Sequence, residues 1–236
     1  TNQDHYFLTE NLLKNTPKAP NVSYLLEPKG RNTAPAIALA VRKILKVYGD
    51  NAVCRVLAAD HLISDAIAFE KAVDQAAEQA QGGNLVVFGI RPTGPETGYG
   101  YLEVAETGNG PQALKSFVEK PDRATAEKYL AEGRYYWNSG MFCFTAGAMA
   151  ENMASYAGDV WAASQVAFAD AKADGDVTRF EKDSFIAQPD ISIDYAVMEK
   201  AQKIAMVPAG FGWSDVGGWD AVANAHEADS YDNSVA

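Results

Sequence analysis

Residues 52–60, “AVCRVLAAD”, form an apolar run that predicts a buried strand ending at Asp60. Further apolar runs and helical patterns alternate on both sides of it. The apolar runs span residues 22–28 and 84–90. One helical pattern begins at Asn32 or Thr33, and a second spans residues 64–81. This alternation is typical of a parallel sheet with helices on both faces, so the sequence predicts an α/β protein.

After residue 91 the predicted strands become shorter and more alternating. Residues 99–106 and 113–121 flank “TGNGP”, residues 107–111, and predict a hairpin or a meander. Further elements are helices over residues 123–132 and 145–172, a strand over residues 203–210 and a last helix after Gly218. We therefore expect a mixed, mostly parallel sheet within a single domain, residues 1–236.

The composition excludes several classes of function. With 47% hydrophobic and 22% charged residues, the chain can bury a sizeable core. A net charge of -11 disfavours binding to nucleic acid or to an anionic membrane surface. The two cysteines form no CxxC pair, which argues against a zinc site or a disulfide framework and favours the cytoplasm. No apolar run approaches the roughly 20 residues that span a bilayer.

Two aspartates are candidate metal ligands. Asp60 follows a predicted strand, and open parallel sheets bind ligands beyond the carboxyl ends of their strands. Asp215 lies beside glycines in “FGWSDVGGWDAV”, residues 211–222. Because Mg²⁺ keeps several waters, one or two carboxylates plus substrate phosphates can hold it. The alternative is that each aspartate caps a turn or a helix. His61, a lone histidine, is more often packed or exposed than metal-bound.

The stretch “FVEKPD”, residues 117–122, places Glu119 and Lys120 at the end of a predicted strand. Adjacent residues on a strand point to opposite faces. Both can therefore serve one site only if the strand twists or ends there, which Pro121 encourages. An exposed ion pair on an edge strand is the alternative.

Two further stretches offer polar groups to a ligand. “TGYGY”, residues 97–101, has backbone amides beside two glycines, which suit a sugar hydroxyl or a phosphate. “WNSGMF”, residues 137–142, places the Asn138 amide between an aromatic residue and a glycine. An ordinary glycine turn and an Asx turn explain these two patterns equally well.

Seven blocks of this sequence occur in the order in which one enzyme family carries them. They are “EPKGRNTAPA”, “LAADHLI”, “TGYGYLE”, “FVEKP”, “WNSGMF”, “ISIDYAVMEK” and “FGWSDVGGWDAV”. Over residues 21–221 the chain resembles the bacterial mannose-1-phosphate guanylyltransferases, the GDP-mannose pyrophosphorylases of the sugar nucleotidyltransferase superfamily. The guanylyl and mannosyl assignments depend chiefly on the first and the last two blocks.

The resemblance implies a Rossmann-like nucleotide-diphospho-sugar transferase fold and a reaction. GTP and mannose 1-phosphate would give GDP-mannose and pyrophosphate, with Mg²⁺ as cofactor. The implied catalytic residues are Asp60 and Asp215, which hold the metal, and Lys120, which contacts the sugar phosphate. The implied sugar contacts are Gly100, Glu119 and Asn138, and the implied nucleotide contacts are Arg31, Asn32 and Thr33.

The chain departs from the family pattern at its start. The family's first strand and its glycine-rich loop, Gly-Gly-x-Gly-Thr-Arg, do not occur here, nor does the Pro-Lys-Gln that follows them. That loop wraps the nucleotide phosphates, and losing such cationic stabilisation slows phosphoryl transfer severely. We therefore expect a truncated catalytic domain that keeps sugar and metal contacts but turns over poorly or not at all.

Two other functions stay open at this point. The chain could be another hexose-1-phosphate nucleotidyltransferase, taking glucose 1-phosphate with UTP, dTTP or ATP. It could also be a non-catalytic remnant that binds a sugar nucleotide. The expected partners are GTP, mannose 1-phosphate and GDP-mannose, with no nucleic acid and no membrane, and a homodimer is one assembly open to the chain.

Overall fold

The computed structural model describes residues 1–16 and 21–218. The chain groups into two units, one of Thr1–Cys54 with Thr145–Gln202 and the other of Arg55–Phe144 with Lys203–Ala236. The single domain expected from the sequence stays a prediction, and the helix expected after Gly218 lies outside the described residues. None of the described helices is long and apolar enough to cross a membrane.

Helices and strands alternate along the chain. The helices are α1 (Tyr6–Lys14), α2 (Thr33–Tyr48), α3 (Ala66–Gln81), α4 (Arg123–Glu132), α5 (Ala146–Tyr156), α6 (Gly158–Ala169) and α7 (Lys182–Ile186), followed by a π-helical turn, Asp194–Met198. The strands are β1 (Tyr24–Leu26), β2 (Val53–Val56), β3 (Leu62–Ile63), β4 (Leu85–Ile90), β5 (Tyr101–Val104), β6 (Gln112–Val118), β7 (Tyr135–Thr145), β8 (Lys172–Asp174), β9 (Val177–Arg179), β10 (Ile204–Ala209) and β11 (Trp213–Ser214).

In the first unit, α2 packs against α5 and α6. Its start confirms the predicted cap, since the Asn32 side chain accepts a hydrogen bond from the Thr33 N–H at 2.9 Å. The sequence suggested that β1 belongs to a large parallel sheet, but β1 does not join one. It pairs in parallel with β9, which pairs antiparallel with β8. The reason is local packing, because Tyr24 and Leu26 of β1 are buried against Tyr6 and Val177.

The single helix predicted over residues 145–172 is wrong. α5 and α6 are separated at Ala157, whose φ of -138° and ψ of 48° are not helical. Gly158 follows, and glycine in a helix interior is about 1 kcal/mol less favourable than alanine. A break here leaves each shorter helix its own contacts with α2. α6 ends at Ala169, and Lys172, the last residue of the predicted helix, begins β8.

In the second unit, strands β7, β4, β10, β6 and β5 lie side by side in that order, and α3 packs against β4 and β10. The predicted α/β class and mixed sheet are confirmed. The expected predominance of parallel pairs is not, because only β4 and β10 pair in parallel among these five strands. The others pair antiparallel. Short connections such as the β5–β6 hairpin permit only antiparallel pairing, whereas a parallel pair needs a long crossover.

Candidate functional site

A short ladder brings two candidate metal ligands to one place. β11 pairs antiparallel with β3, and Ser214 lies opposite Leu62. Asp215 directly follows β11, and Asp60 lies two residues before β3. Because the two strands run antiparallel, both aspartates lie beyond the same end of the ladder. The buried strand predicted to end at Asp60 is shorter than expected, since β2 ends at Val56 and residues 57–60 are exposed.

The Asp215 carboxylate is anchored through one oxygen. Its Oδ1 accepts hydrogen bonds from the Tyr99 hydroxyl at 3.1 Å and from the Gly217 N–H at 3.2 Å. Within residues 1–16 and 21–218, no donor is bonded to Oδ2. Oδ2 is therefore the oxygen that this carboxylate can offer to a ligand. The residue after Asp215, Val216, has a φ of 50°, which β-branched residues rarely adopt.

The side chain of Tyr99 is held by aromatic neighbours. Its ring meets those of Trp137 and Trp213 edge to face, with centroids 5.1 Å and 5.7 Å away. Burial, followed by the charge of Asp215 and the hydrogen bond to it, raises the pKa of Tyr99 to about 12. At neutral pH the hydroxyl is therefore protonated and can donate to the carboxylate.

His61 is fixed across the ladder by Trp213. The indole Nε1–H donates to His61 Nδ1 at 3.1 Å, and the two rings meet edge to face at 5.2 Å. Because Nδ1 is the acceptor, a neutral His61 carries its proton on Nε2. This contact packs His61 against Trp213.

Glu119 and Lys120 lie together because the strand ends before them. β6 stops at Val118, and Lys120 has a φ of 49°. The Lys120 N–H donates to the Tyr99 carbonyl at 3.2 Å, and the Lys120 Nζ lies 3.7 Å from Glu119 Oε1. The lysine side chain is 59% exposed and that of the glutamate only 11%. The condition set by the sequence, that both residues serve one site only if the strand ends there, is met.

Gly100 lies directly against two other residues assigned to sugar binding. A Cβ at this position would collide with Glu119 Oε2 and would lie 3.3 Å from the Cβ of Asn138. The Asn138 N–H donates to the Gly100 carbonyl at 2.8 Å, and its side-chain Oδ1 accepts from the Gly140 N–H at 3.2 Å. The structure thus brings Gly100, Glu119 and Asn138 together, and a side chain at position 100 would have to displace the Glu119 carboxylate.

The three residues assigned to the nucleotide lie in the first unit, where each has a local contact. Arg31 Nη2 donates to the Ile186 carbonyl, and Asn32 caps α2. The Thr33 hydroxyl accepts from the Ile193 N–H at 2.8 Å. The Arg31 Nε is buried and meets no acceptor among the described residues. These contacts join the start of α2 to the segment that precedes the π-helical turn.

The donor set fits a hard divalent cation held jointly by protein and ligand. Two carboxylates at one end of a ladder supply the oxygen ligands that Mg²⁺ prefers, and water and phosphate oxygens can complete its shell. In the described part of the chain, no group of three or more His, Cys, Asp or Glu is placed to bind a metal. The arrangement is therefore not a closed protein cage.

Sequence reasoning missed Tyr99, Trp137 and Trp213 as parts of this site. Tyr99 stands in a stretch that we interpreted only through its glycines, and its partner Asp215 is 116 residues away. The two tryptophans, each beside a site residue in “WNSG” and “WSDVG”, were the available signal. Nothing in their spacing reveals that both would contact one tyrosine.

We expect Asp215→Asn to lower the pKa of Tyr99 from about 12 towards 10, because the carboxylate charge is lost while burial, the largest cause, remains. The test is a pH titration of ¹³C-labelled tyrosine by NMR, with Tyr99→Phe to assign the signal. Asp60→Asn is the control and should leave this pKa unchanged, since Asp60 does not contribute to the shift. An unchanged pKa in Asp215→Asn would mean that the hydrogen bond does not form in solution.

Known proteins with similar sequences cover nearly the whole chain. The nucleotidyl transferase family matches residues 1–231. A xanthan biosynthesis protein of Xanthomonas campestris is 47% identical over 232 residues, which are 98% of this chain and 49% of that protein. A mannose-1-phosphate guanylyltransferase of Salmonella typhimurium is 47% identical over 224 residues, 94% of this chain and 46% of that protein. The chain spans about half the length of these curated relatives.

A solved structure shares the fold. It is described as mannose-6-phosphate isomerase from Helicobacter pylori, and it matches with a TM-score of 0.84 at 35% identity, covering 91% of this chain and 82% of that chain. This likeness and the family match confirm the predicted α/β fold of a nucleotidyltransferase. The chain belongs to the nucleotidyl transferase family.

Proposed function

We propose that this chain carries the site at which GMP is transferred from GTP to mannose 1-phosphate, giving GDP-mannose and pyrophosphate. The observation that carries the proposal is the β3–β11 pairing, which leaves Asp60 and Asp215 beyond the same end of one ladder. A relative at 47% identity that is named mannose-1-phosphate guanylyltransferase supports the substrates. Because the chain spans about half of that relative, the activity of the whole protein is part of the proposal.

Asp60 and Asp215 would hold the cation, which we propose is Mg²⁺. When bound, Mg²⁺ neutralises phosphate charge and orients phosphate oxygens. Asp215 would use Oδ2, since its Oδ1 is bonded to Tyr99 and Gly217. Asp60 is exposed to solvent and so is accessible to a ligand.

Lys120 would bind the phosphate of the sugar. A phosphate oxygen of mannose 1-phosphate attacks the α-phosphorus of GTP, forming the new O–P bond while the bond to the leaving pyrophosphate breaks. This displacement requires in-line positioning and neutralised charge more than a covalent nucleophile. The Lys120 ammonium supplies a charge for this purpose, and its backbone is fixed by the hydrogen bond to Tyr99.

Glu119, Asn138 and the backbone of Gly100 would orient the sugar. The Glu119 side chain is mostly buried and lies 3.7 Å from the Lys120 ammonium. A carboxylate next to a phosphate-binding cation can accept hydrogen bonds from sugar hydroxyls while the cation holds the phosphate. These contacts would fix the sugar phosphate relative to the cation.

Arg31, Asn32 and Thr33 would bind the guanine end of the nucleotide. The buried Arg31 Nε, with no acceptor among the described residues, supports this role because a base or a phosphate oxygen could accept from it. A buried donor without a partner is destabilising by about 1–3 kcal/mol, so a ligand that satisfies it binds more tightly. A homodimer and a cytoplasmic location stay predictions.

We expect calorimetric titration with GDP-mannose to show binding that depends on Mg²⁺ and exceeds binding of UDP-glucose. A site that hydrogen-bonds one base leaves buried groups unpaired with another, which weakens binding. Asp60→Asn and Asp215→Asn should each abolish the Mg²⁺ dependence while far-UV circular dichroism stays unchanged. Preference for UDP-glucose would favour a different base and sugar. If Asp215→Asn unfolds and the Mg²⁺ dependence survives in Asp60→Asn, the aspartates have structural roles only.

We expect Gly100→Ala to weaken GDP-mannose binding by about tenfold or more, about 1.4 kcal/mol, because the new Cβ displaces the Glu119 carboxylate. Gly98→Ala is the matched control from the same loop. A Cβ there has no atom within 4 Å, and alanine keeps the backbone amide. Equal affinities of the two variants would contradict the placement of the sugar at Glu119.

A further inference from the structure

We propose that Tyr99 is a positioning residue that makes Asp215 a one-oxygen ligand of the divalent cation. The inference rests on the proposed function and deepens it, because it concerns how the candidate metal site recognises its metal. Tyr99 itself would not touch the metal or the substrates. It would act through the carboxylate that it holds.

The hydrogen bonds of Asp215 are distributed unequally between its two oxygens. The Tyr99 hydroxyl and the Gly217 N–H both donate to Oδ1, at 3.1 Å and 3.2 Å. A carboxylate oxygen has two lone-pair directions, so these two donors occupy those of Oδ1. Of the described residues none donates to Oδ2, which keeps its lone pairs for a ligand.

The donor is rigid, which a positioning role requires. The Tyr99 ring packs between Trp137 and Trp213 at 5.1 Å and 5.7 Å, and the Tyr99 carbonyl accepts from the Lys120 N–H at 3.2 Å. Rotation of the Asp215 carboxylate would therefore break a bond to a side chain that is packed against two other rings. Partners that orient a ligand in this way commonly contribute 10- to 100-fold to metal affinity.

Tyr99 also connects Asp215 with the sugar-phosphate contacts. Its hydroxyl bonds Asp215, its carbonyl bonds the backbone of Lys120, and its ring contacts Trp137, the residue before Asn138. Tyr99 thus contacts both the Asp215 carboxylate and the backbone of Lys120. Through these contacts it would help to position the metal ligand and the lysine, the two groups that would act on the phosphate charge.

A carboxylate that offers one oxygen has consequences for metal choice. Mg²⁺ and Mn²⁺ suit octahedral sites with single-oxygen carboxylate ligands, whereas Ca²⁺ takes about 6–8 oxygens and readily binds both oxygens of a carboxylate. Holding Oδ1 on Tyr99 and Gly217 disfavours two-oxygen binding. Tyr99 would therefore favour the smaller cations over Ca²⁺.

The test measures Mn²⁺ binding to the chain by electron paramagnetic resonance, in the presence of GDP-mannose, with Ca²⁺ as competitor. We expect Tyr99→Phe to weaken Mn²⁺ binding about tenfold and to make Ca²⁺ a better competitor. Tyr6→Phe is the matched control, since the Tyr6 hydroxyl bonds the Glu10 carboxylate at 3.0 Å in the other unit. It should change neither quantity.

A rescue variant tests the hydrogen bond itself. Replacing Tyr99 by 4-aminophenylalanine keeps the ring and restores an N–H donor, so it should return Mn²⁺ affinity and metal preference towards those of the parent chain. Loss of affinity in both variants would show that a donor at this position does not restore the site, and it would overturn the inference. Unchanged affinity and preference in Tyr99→Phe, with Mn²⁺ binding lost in Asp215→Asn, would overturn the inference alone. If the parent chain binds no Mn²⁺, both this inference and the proposed metal site fall.

Discussion

The pairing of β11 with β3 is the constraint on which the candidate site depends. It joins segments about 150 residues apart, since Trp213 and His61 form a hydrogen bond across a separation of 152 residues. In an antiparallel pair a slip of one residue turns every side chain to the other face. The Trp213–His61 hydrogen bond and the edge-to-face rings support this register, and the pairing leaves Asp60 and Asp215 beyond the same end of the ladder.

The site also depends on backbone geometry that most residues avoid. Lys120 and Val216 have positive φ, at 49° and 50°, and each lies next to a carboxylate assigned to the site. Such conformations are unfavourable by about 1–3 kcal/mol each and persist where the surroundings hold them. Tyr99 holds both regions, through its carbonyl to Lys120 and through its hydroxyl to Asp215. Tyr99 thus contacts both segments that contain a strained residue, and its own ring packs against two tryptophans.

Local features of the fold could be predicted from the sequence because their causes are local. Asn32 caps α2, and the glycines of “TGNGP” form the β5–β6 hairpin. Pairing between distant strands has no such local signature. β1 therefore looked like part of a large parallel sheet, although it packs with Tyr6 and Val177 in a small one. The break at Ala157 was missed because tertiary contacts with α2 outweigh the helical pattern.

The site could be predicted in part. Ordered motifs pointed to Asp60, Glu119, Lys120, Asn138 and Asp215, and the structure adds contacts among the last four through Gly100 and Tyr99. A motif can indicate the residues that contact a ligand, but it does not indicate a residue such as Tyr99 that would act by orienting one of them. The hydrogen bond between Tyr99 and Asp215 was needed to suggest that role.

We propose above that Asp60 and Asp215 hold one divalent cation together with the phosphates of the nucleotide sugar. A crystal structure grown with Mn²⁺ and GDP-mannose, with an anomalous difference map, would show where the cation binds. We expect one manganese peak within coordination distance of Asp60, of Oδ2 of Asp215 and of phosphate oxygens. A peak that contacts neither aspartate, or that contacts phosphate oxygens alone, would contradict it.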